Sequence, residues 1–217
     1  MHEIGPVKNF MRTGMKVSEP RRRGRPPAYD RDAALLALTD AFWDQGFAAT
    51  PLDALAAASA MNRPSLYAAF GDKQAMYLAV LDRYDRDAEA QLRAVLWSTD
   101  DIGAAVAALF AASIDFYSAG AHGPRGCLAV GTAATAAVAD PAIRTALAQV
   151  LATMDAVIAE RLAAAITAGQ LPADFDAPAR AALIGATLHS LATRARAGAT
   201  RSSLEGFVAA AAPVLLG

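Results

Sequence analysis

The chain has 217 residues, of which 55% are hydrophobic, 7% aromatic and 19% charged. This length fits one domain with a smaller one appended, and the apolar content is sufficient for a sizeable core. Alanine, the best helix former, makes up about a quarter of the chain. Long alternations of β-branched and aromatic residues are absent, which excludes an all-β fold.

The same composition speaks against a membrane or secreted protein. No uncharged apolar run reaches the roughly 18 residues of a transmembrane helix, and the N-terminal stretch lacks the apolar segment of a secretory signal. The single cysteine rules out an intrachain disulfide, which is typical of a reducing compartment. We therefore expect a cytoplasmic protein with no membrane partner.

Basic residues are concentrated at the N-terminus, although the net charge of the whole chain is only −1. Residues 1–29 contain seven basic and two acidic residues, a net charge of +5, and show no hydrophobic period. We interpret residues 1–29 as a flexible basic arm that binds a polyanion. The alternative is a solvated tail that only aids solubility.

Capping residues, prolines and glycines divide the next part of the chain into four helices. Side chains that cap helix N-termini precede the expected starts, and glycine ends a helix where a positive φ is needed. The first helix is predicted between Asp30 and Gly46, the second from a cap at Thr50-Pro51 to about Ala58, the third from Arg63 to about Phe70 and the fourth, capped by Asp72, from Lys73 to about Leu96.

The remainder of the chain is predicted to be helical as well, with loops near residues 122–126 and 169–178. The predicted helices run from a cap at Asp100 to about Ala119, from Cys127 to about Ala139, from Asp140-Pro141 to Ala168, from about Ala179 to Ala197, and onward from a capping box at Ser202-Ser203-Leu204-Glu205. The predicted fold class is therefore all-α.

The second and third helices have the spacing of a helix-turn-helix, with a turn of about four residues between them. An ordinary αα-corner has the same spacing. The surface of the third helix favours DNA binding, because Leu66 and Phe70 lie four residues apart and would face the core, which leaves Arg63 and Tyr67 on another face. Arginine can pair with guanine in the major groove, and a helix N-terminus attracts phosphate.

This window resembles the DNA-binding signature of TetR-type transcriptional repressors. The similarity covers about residues 30–75 and rests on the run Thr50, Leu55-Ala56, Ser65-Leu66-Tyr67, Phe70 and Lys73. It implies a three-helix DNA-binding domain at residues 30–72 and a helical ligand-binding and dimerisation domain at residues 73–217. It also implies a homodimer whose last two helices form a four-helix bundle, and release from operator DNA when a small molecule binds.

The resemblance assigns roles to individual residues of the second and third helices. Phosphate contacts would come from Thr50, Tyr67 and Lys73, and base-edge contacts from Arg63, Pro64 and Ser65. Ala60 and Asn62 stand where the family usually has glycine and serine. Asn62 is still a good helix cap and is included in the predicted DNA-binding set. Alanine at position 60 would cost about 1–2 kcal/mol if the turn needs a positive φ.

A second DNA signal lies in the arm, at Arg23-Gly24-Arg25-Pro26. This run resembles the core of the AT-hook, a segment that binds the minor groove. Glycine lets the backbone approach the groove floor, while arginines such as Arg23 and Arg25 enter its negative potential. A disordered tail is the alternative.

The C-terminal part carries apolar stripes at helical spacing, which are core positions by default. Many alanines can nevertheless leave room between helices for an apolar effector. His189 lies in an apolar helix and is either a pocket residue or a satisfied core histidine. No metal-ligand spacing, catalytic arrangement or phosphate loop is present, so no cofactor is expected. The candidate pocket residues are Phe110, Ile114, Tyr117, Met154 and His189.

Cys127 offers a different mode of regulation. A thiol in the first turn of a helix and two residues from Arg125 is expected to have a lowered pKa, which would make it a sensor of oxidants or electrophiles. The alternative is a small packed residue, since free cysteine is usually buried. An all-α enzyme is the remaining function class; it would need clustered acid and base residues facing a pocket, and the sequence shows none.

The sequence therefore predicts a DNA-binding regulator without enzymatic activity. Its expected partners are a roughly palindromic double-stranded operator, a small-molecule effector and a second copy of the chain. The dimer is expected to form through helices near residues 179–197 and 203–215, where alanine and leucine allow close helix approach.

Overall fold

The computed structural model describes residues 30–120 and 123–217, and within them it contains helices and no β-strand. The predicted all-α fold is confirmed. The predicted arm, including Arg23 and Arg25, lies outside the described residues. The helices are α1 (Arg31–Ala49), α2 (Leu52–Ala58), α3 (Arg63–Phe70), α4 (Lys73–Leu96), α5 (Ile102–Ser118), a π-helical turn (Ala129–Ala133) that continues into α6 (Ala134–Ala136), α7 (Pro141–Thr167), α8 (Ala177–Arg196) and α9 (Arg201–Leu216).

Side-chain caps start α1, α3, α4 and α7 where the sequence predicts them. Asp30 accepts from the amide of Asp32, Asn62 from that of Ser65, and Asp72 from that of Ala75. Asp140 likewise accepts from the first-turn amides of α7. Within α1, Gly46 has a φ of 78° and interrupts the helical backbone at the predicted position, although helical residues resume as far as Ala49.

Other predicted helix ends are wrong by one or a few residues. Asp101, not Asp100, caps α5, and Asp176 caps α8, which starts two residues before the predicted Ala179. Thr200 caps α9 in place of the predicted box at residues 202–205. Pro51, not Thr50, occupies the cap position of α2.

The predicted helix over residues 127–139 is shorter and begins with a π-helical turn. Cys127 precedes it, and α6 ends at Ala136. Arg144 of α7 donates to the carbonyls of Ala137 and Val138. These hydrogen bonds satisfy the backbone beyond α6, so the chain turns towards α7 instead of continuing the helix.

The core of the C-terminal part is built on α4, α7 and α8, with α7 packed against both neighbours. By length and composition α7 could span a membrane, and 28% of its most apolar stretch is buried; here it packs against α4 and α8. Its Arg161 is buried and donates to the carbonyl of Leu96 at the end of α4 and to those of Thr99 and Asp100 in the turn that follows. Three carbonyl acceptors compensate the desolvation of this cation.

Aromatic packing connects the N-terminal helices to α4. Phe42 of α1 meets the edge of Tyr77 of α4 at a centroid distance of 5.0 Å, and Trp43 meets Tyr84 in the same way at 5.5 Å. The hydroxyl of Tyr77 is hydrogen-bonded to Thr132 in the π-helical turn. The orientation of α1 is therefore coupled to α4 and, through it, to the rest of the helical core.

Candidate nucleic-acid interface and ligand cavity

The turn between α2 and α3 holds the two helices in a helix-turn-helix. Leu55 of α2, Leu66 of α3 and Met61 in the turn are buried beneath it. Ala60 has a φ of 51°, the only positive value at a non-glycine residue in the described ranges. The turn therefore has at position 60 the positive φ whose cost the sequence analysis considered.

The two faces of α3 divide as the sequence predicts. Leu66 and Phe70 are buried, whereas Tyr67 is 43% exposed. Arg63 and Pro64 are exposed at the start of the helix, next to the Asn62 cap, and Ser65 is half-buried behind them. The first two turns of α3 thus form a protruding polar surface over an apolar base.

Arg63 has a partner that sequence analysis did not identify. Its guanidinium lies 2.6 Å from the carboxylate of Asp53 on α2, and both side chains are exposed. The hydrogen bond and the negative charge of Asp53 raise the pKa of Arg63. The ion pair orients the side chain of Arg63 along the surface of the motif.

Lys73 marks the opposite end of α3, at the first residue of α4. Its Nζ donates to the carbonyl of Ala48 and lies 4.9 Å from the centroid of the Phe47 ring. Partial burial lowers the pKa of this ammonium group. The charge is held beside the C-terminal end of α1, at the edge of the polar surface.

Thr50 does not present its hydroxyl to solvent. It is completely buried, and Oγ1 donates to the carbonyl of Gly46 at 2.6 Å. The bond satisfies a carbonyl freed by the break in α1. In this arrangement Thr50 stabilises the connection between α1 and α2, in contrast to the side-chain phosphate contact expected from the sequence.

A cavity of about 360 Å³ lies between α1, α4 and α5, with α7 and α8 closing its inner end. Of the predicted pocket residues, Tyr117 and Met154 line it. Phe110 and Ile114 are buried but do not line it, because they lie on the side of α5 that packs into the core. His189 does not line it either, although Leu188 beside it does.

His189 instead belongs to the contact between α7 and α8. Burial lowers its pKa, while the nearby carboxylate of Asp155 on α7 partly offsets that effect. Burial also raises the pKa of Asp155. His189 is therefore a half-buried packing residue, but its buried Nε2 has no hydrogen-bond partner among the described residues, so it is not the satisfied core histidine that the sequence left as the alternative.

Cys127 is buried, and the predicted lowering of its pKa is wrong. Its Sγ lies 3.1 Å from the hydroxyl of Tyr84, and burial raises the pKa of the thiol. Arg125 points elsewhere, towards Asp40 and Asp44 of α1. Cys127 also borders a second cavity of about 340 Å³ between the π-helical turn and α8.

Two family models match the chain. The model described as "Bacterial regulatory proteins, tetR family" matches residues 35–80, and "Tetracyclin repressor-like, C-terminal domain" matches residues 104–211. The first match includes the helix-turn-helix and the second includes α7 and α8.

Similar proteins are DNA-binding regulators. The HTH-type transcriptional repressor ComR of Escherichia coli K12 is 30% identical over 183 residues, covering 84% of this chain and 87% of ComR. The HTH-type transcriptional activator FasR of Mycolicibacterium smegmatis is 33% identical over 106 residues, 48% of each protein. A cysteine mutant of the TetR family regulator CifR, solved with 26-bp operator DNA, is 32% identical with a TM-score of 0.76, covering 88% of this chain and 98% of that one.

Proposed function

This chain belongs to the TetR family of bacterial regulatory proteins, and we propose from this premise that it is a cytoplasmic repressor released from its operator by a small molecule. The observation that carries the proposal is the exposed surface of α3, where Arg63, Pro64 and Tyr67 project from a helix anchored by Leu66. The similarity to ComR, a transcriptional repressor, supports repression. The similarity to CifR, solved in complex with operator DNA, supports DNA binding.

We assign DNA binding to residues 30–72 and effector binding and dimerisation to residues 73–217. Within the first unit, base contacts come from the start of α3, where the major groove can reach the exposed side chains. The base-reading residues are Arg63, Pro64 and Ser65, next to the Asn62 cap. The phosphate contacts are Tyr67 and Lys73, and Arg23 and Arg25 of the arm enter the minor groove. Thr50 supports the motif from within.

The alternatives raised by the sequence are not favoured. The family and the relatives are transcription regulators, which argues against an all-α enzyme. Burial and a raised pKa argue against Cys127 as a thiolate sensor. The cavity between α1, α4 and α5 provides a site for a non-covalent effector.

The test of DNA binding is gel retardation with the DNA upstream of the chain's own gene. We expect retention of that fragment at concentrations where a shuffled fragment of the same length stays free. Specific binding should persist in 200 mM salt better than binding to the shuffled DNA, because sequence readout adds to phosphate contacts. Equal retention of both fragments under all conditions would contradict a role in operator recognition.

Dimerisation is proposed to occur through α8 and α9, which expose Leu183 and Val214. A dimer places two recognition helices about one turn of DNA apart, so the operator should be roughly palindromic. Light scattering at micromolar concentration should give about twice the 22.4 kDa of one chain. A monomer under these conditions would contradict the proposed dimer. A polar substitution of the exposed Leu183 tests whether α8 forms the interface.

A further inference from the structure

The cavity between α1, α4 and α5 has the DNA-binding part of the protein as one of its walls. Asp40 and Trp43 of α1 line it, together with Tyr84 of α4, whose ring contacts that of Trp43. Two large apolar residues at the cavity, Leu36 and Phe116, are each 49% exposed, which places them at an opening to solvent. A ligand in this space therefore touches the helix that leads into the helix-turn-helix.

The same part of α1 is held from outside the cavity by Arg125. Its guanidinium lies 2.7 Å from Asp40 and 2.9 Å from Asp44, and 5.7 Å from the centroid of the Trp43 ring. The backbone carbonyl of Arg125 in turn accepts from Arg196 of α8. Arg125 thus connects α8 to α1. Two of the groups that it contacts on α1, the carboxylate of Asp40 and the ring of Trp43, also line the cavity.

The cavity wall combines aromatic rings with carboxylates. Trp43, Tyr84, Phe116 and Tyr117 supply rings, and burial raises the pKa of both tyrosines, which stay neutral phenols. The faces of such rings attract cations.

The charged groups at the cavity favour the same sign of ligand. They are Asp40, Asp87 and Arg83, and Arg83 is already paired with Asp87 at 3.2 Å. Asp40 would meet a cation with attraction and an anion with repulsion. The positive partner that Asp40 has in the structure is Arg125, which does not line the cavity.

We propose that the effector is an aromatic cation that binds in this cavity and competes with Arg125 for Asp40 and Trp43. Binding of the cation loosens the contact between α1 and Arg125, whose backbone is held to α8 by Arg196. The loosened contact favours an orientation of α1–α3 that no longer fits the operator. The part of this inference that concerns release of DNA rests on the proposed function. The ligand shifts the equilibrium because its contacts with Asp40 and Trp43 are better when Arg125 is displaced.

Three probes of nearly equal shape test the ligand class: N-methyl-4-phenylpyridinium as cation, 4-phenylpyridine at pH 8 as neutral compound, and 4-phenylbenzoate as anion. Binding is followed by quenching of Trp43 fluorescence in a Trp97→Phe variant. We expect the cation to bind about tenfold more tightly than the neutral compound, with the anion weakest. Equal or tighter binding of the neutral compound or the anion would overturn the proposal.

Asp40→Asn and Asp44→Asn form a matched pair of variants. Each removes one carboxylate partner of Arg125, but only Asp40 lines the cavity. We expect Asp40→Asn to weaken binding of the cation about fivefold, whereas Asp44→Asn should not weaken it, because Asp44 holds Arg125 without lining the cavity. Arg125→Ala should strengthen cation binding, because the competing guanidinium is removed. Equal effects of the two aspartate variants, or weaker cation binding by Arg125→Ala, would contradict the competition.

DNA release is measured separately, by fluorescence anisotropy of labelled upstream DNA with the same probes. The cation should release the DNA and the anion should not. Quenching of Trp43 without release would overturn the coupling through Arg125. Failure of the parent chain to bind the DNA at all would refute the proposed function, whereas the quenching series would still decide which ligand class the cavity takes. Circular dichroism of each variant confirms that it is folded.

Discussion

Ala60 shows how one residue can depart from the backbone preference of its position. Its φ of 51° lies in the left-handed region, which costs an L-residue about 1–2 kcal/mol. The conformation is retained because Leu55, Met61 and Leu66 are buried around the turn. The strain is part of the geometry that presents α3.

Replacing Ala60 with glycine should therefore raise the free energy of unfolding. The relief of strain exceeds the added entropy of the unfolded chain, and we expect a gain of up to about 1 kcal/mol in urea denaturation. Ala57→Gly is the matched control, because Ala57 is an exposed residue within α2 and should lose about 1 kcal/mol. A similar loss in both variants would show that position 60 is not strained.

Cys127 illustrates a residue whose chemistry depends on burial. A raised pKa reduces the thiolate fraction at neutral pH relative to a free cysteine, because the thiol loses its proton only at higher pH. We expect dithiobis(nitrobenzoate) at pH 7.5 to react much more slowly with the folded protein than with the protein in urea. Rapid labelling of the folded protein would contradict this.

The consequence for regulation is tested with Cys127→Ser. The parent and the variant should release DNA to the same extent in the presence of peroxide, since the thiol is not the sensing group. Peroxide release that is lost in Cys127→Ser would restore the thiol-sensing hypothesis. The variant also keeps a polar atom beside the Tyr84 hydroxyl, which limits structural change.

At the scale of elements, α3 and the start of α4 separate two kinds of DNA contact. Arg63 is positioned at the N-terminal end of α3 by Asp53, whereas Lys73 is held against the end of α1. An arginine that pairs with a base contributes sequence discrimination, while a lysine that meets a phosphate contributes affinity for any DNA.

Arg63→Ala should therefore weaken binding to the operator by about 1–3 kcal/mol and change binding to random DNA much less. Lys73→Ala should weaken both alike and reduce the slope of affinity against salt by about one phosphate contact. Titrations on both DNAs at several salt concentrations distinguish these effects. Parallel losses for both variants on both DNAs would contradict the division of roles.

Asp53→Asn is the control for the ion pair within the motif. It removes the negative charge that holds Arg63 but leaves the arginine in place. The exposed pair is worth little for stability, so the variant should unfold at nearly the same urea concentration as the parent. Its operator binding should stay closer to the parent than that of Arg63→Ala.

At the scale of the whole molecule, charge is distributed unequally between the arm and the helical part. Residues 1–25 carry all seven basic residues of the arm and a net charge of +5. Helix α1 begins after them, at Arg31. Deletion of residues 1–25 therefore leaves the described helices in place.

We expect that deletion to lower affinity for DNA by at least about tenfold at low salt and to flatten the salt dependence, because fewer counterions are released. The thermal midpoint should be little changed. If operator affinity is the same with and without residues 1–25, the arm is a solvated tail. A matched full-length variant with Arg23 and Arg25 changed to alanine separates minor-groove insertion from the general effect of charge.

The sequence by itself determined the features that depend on neighbouring residues. Caps such as Asp30, Asn62 and Asp72 compete locally for helix amides, so the starts of α1, α3 and α4 could be predicted. The alternation of buried and exposed positions on α3 follows from helical spacing alone. The TetR-type signature at about residues 30–75 could be identified from the sequence because it too consists of residues close together in the chain.

Tertiary structure decided the features that depend on distant residues. The carbonyl of Asp100 accepts from Arg161 and Gln170, and the adjacent Asp101 caps α5. Burial of Cys127 and Thr50 depends on helices that pack around them. Which aromatic residues of α5 line the cavity depends on how α5 is rotated against α1 and α4. These outcomes arise from contacts between residues far apart in the chain, for which local spacing contains no information.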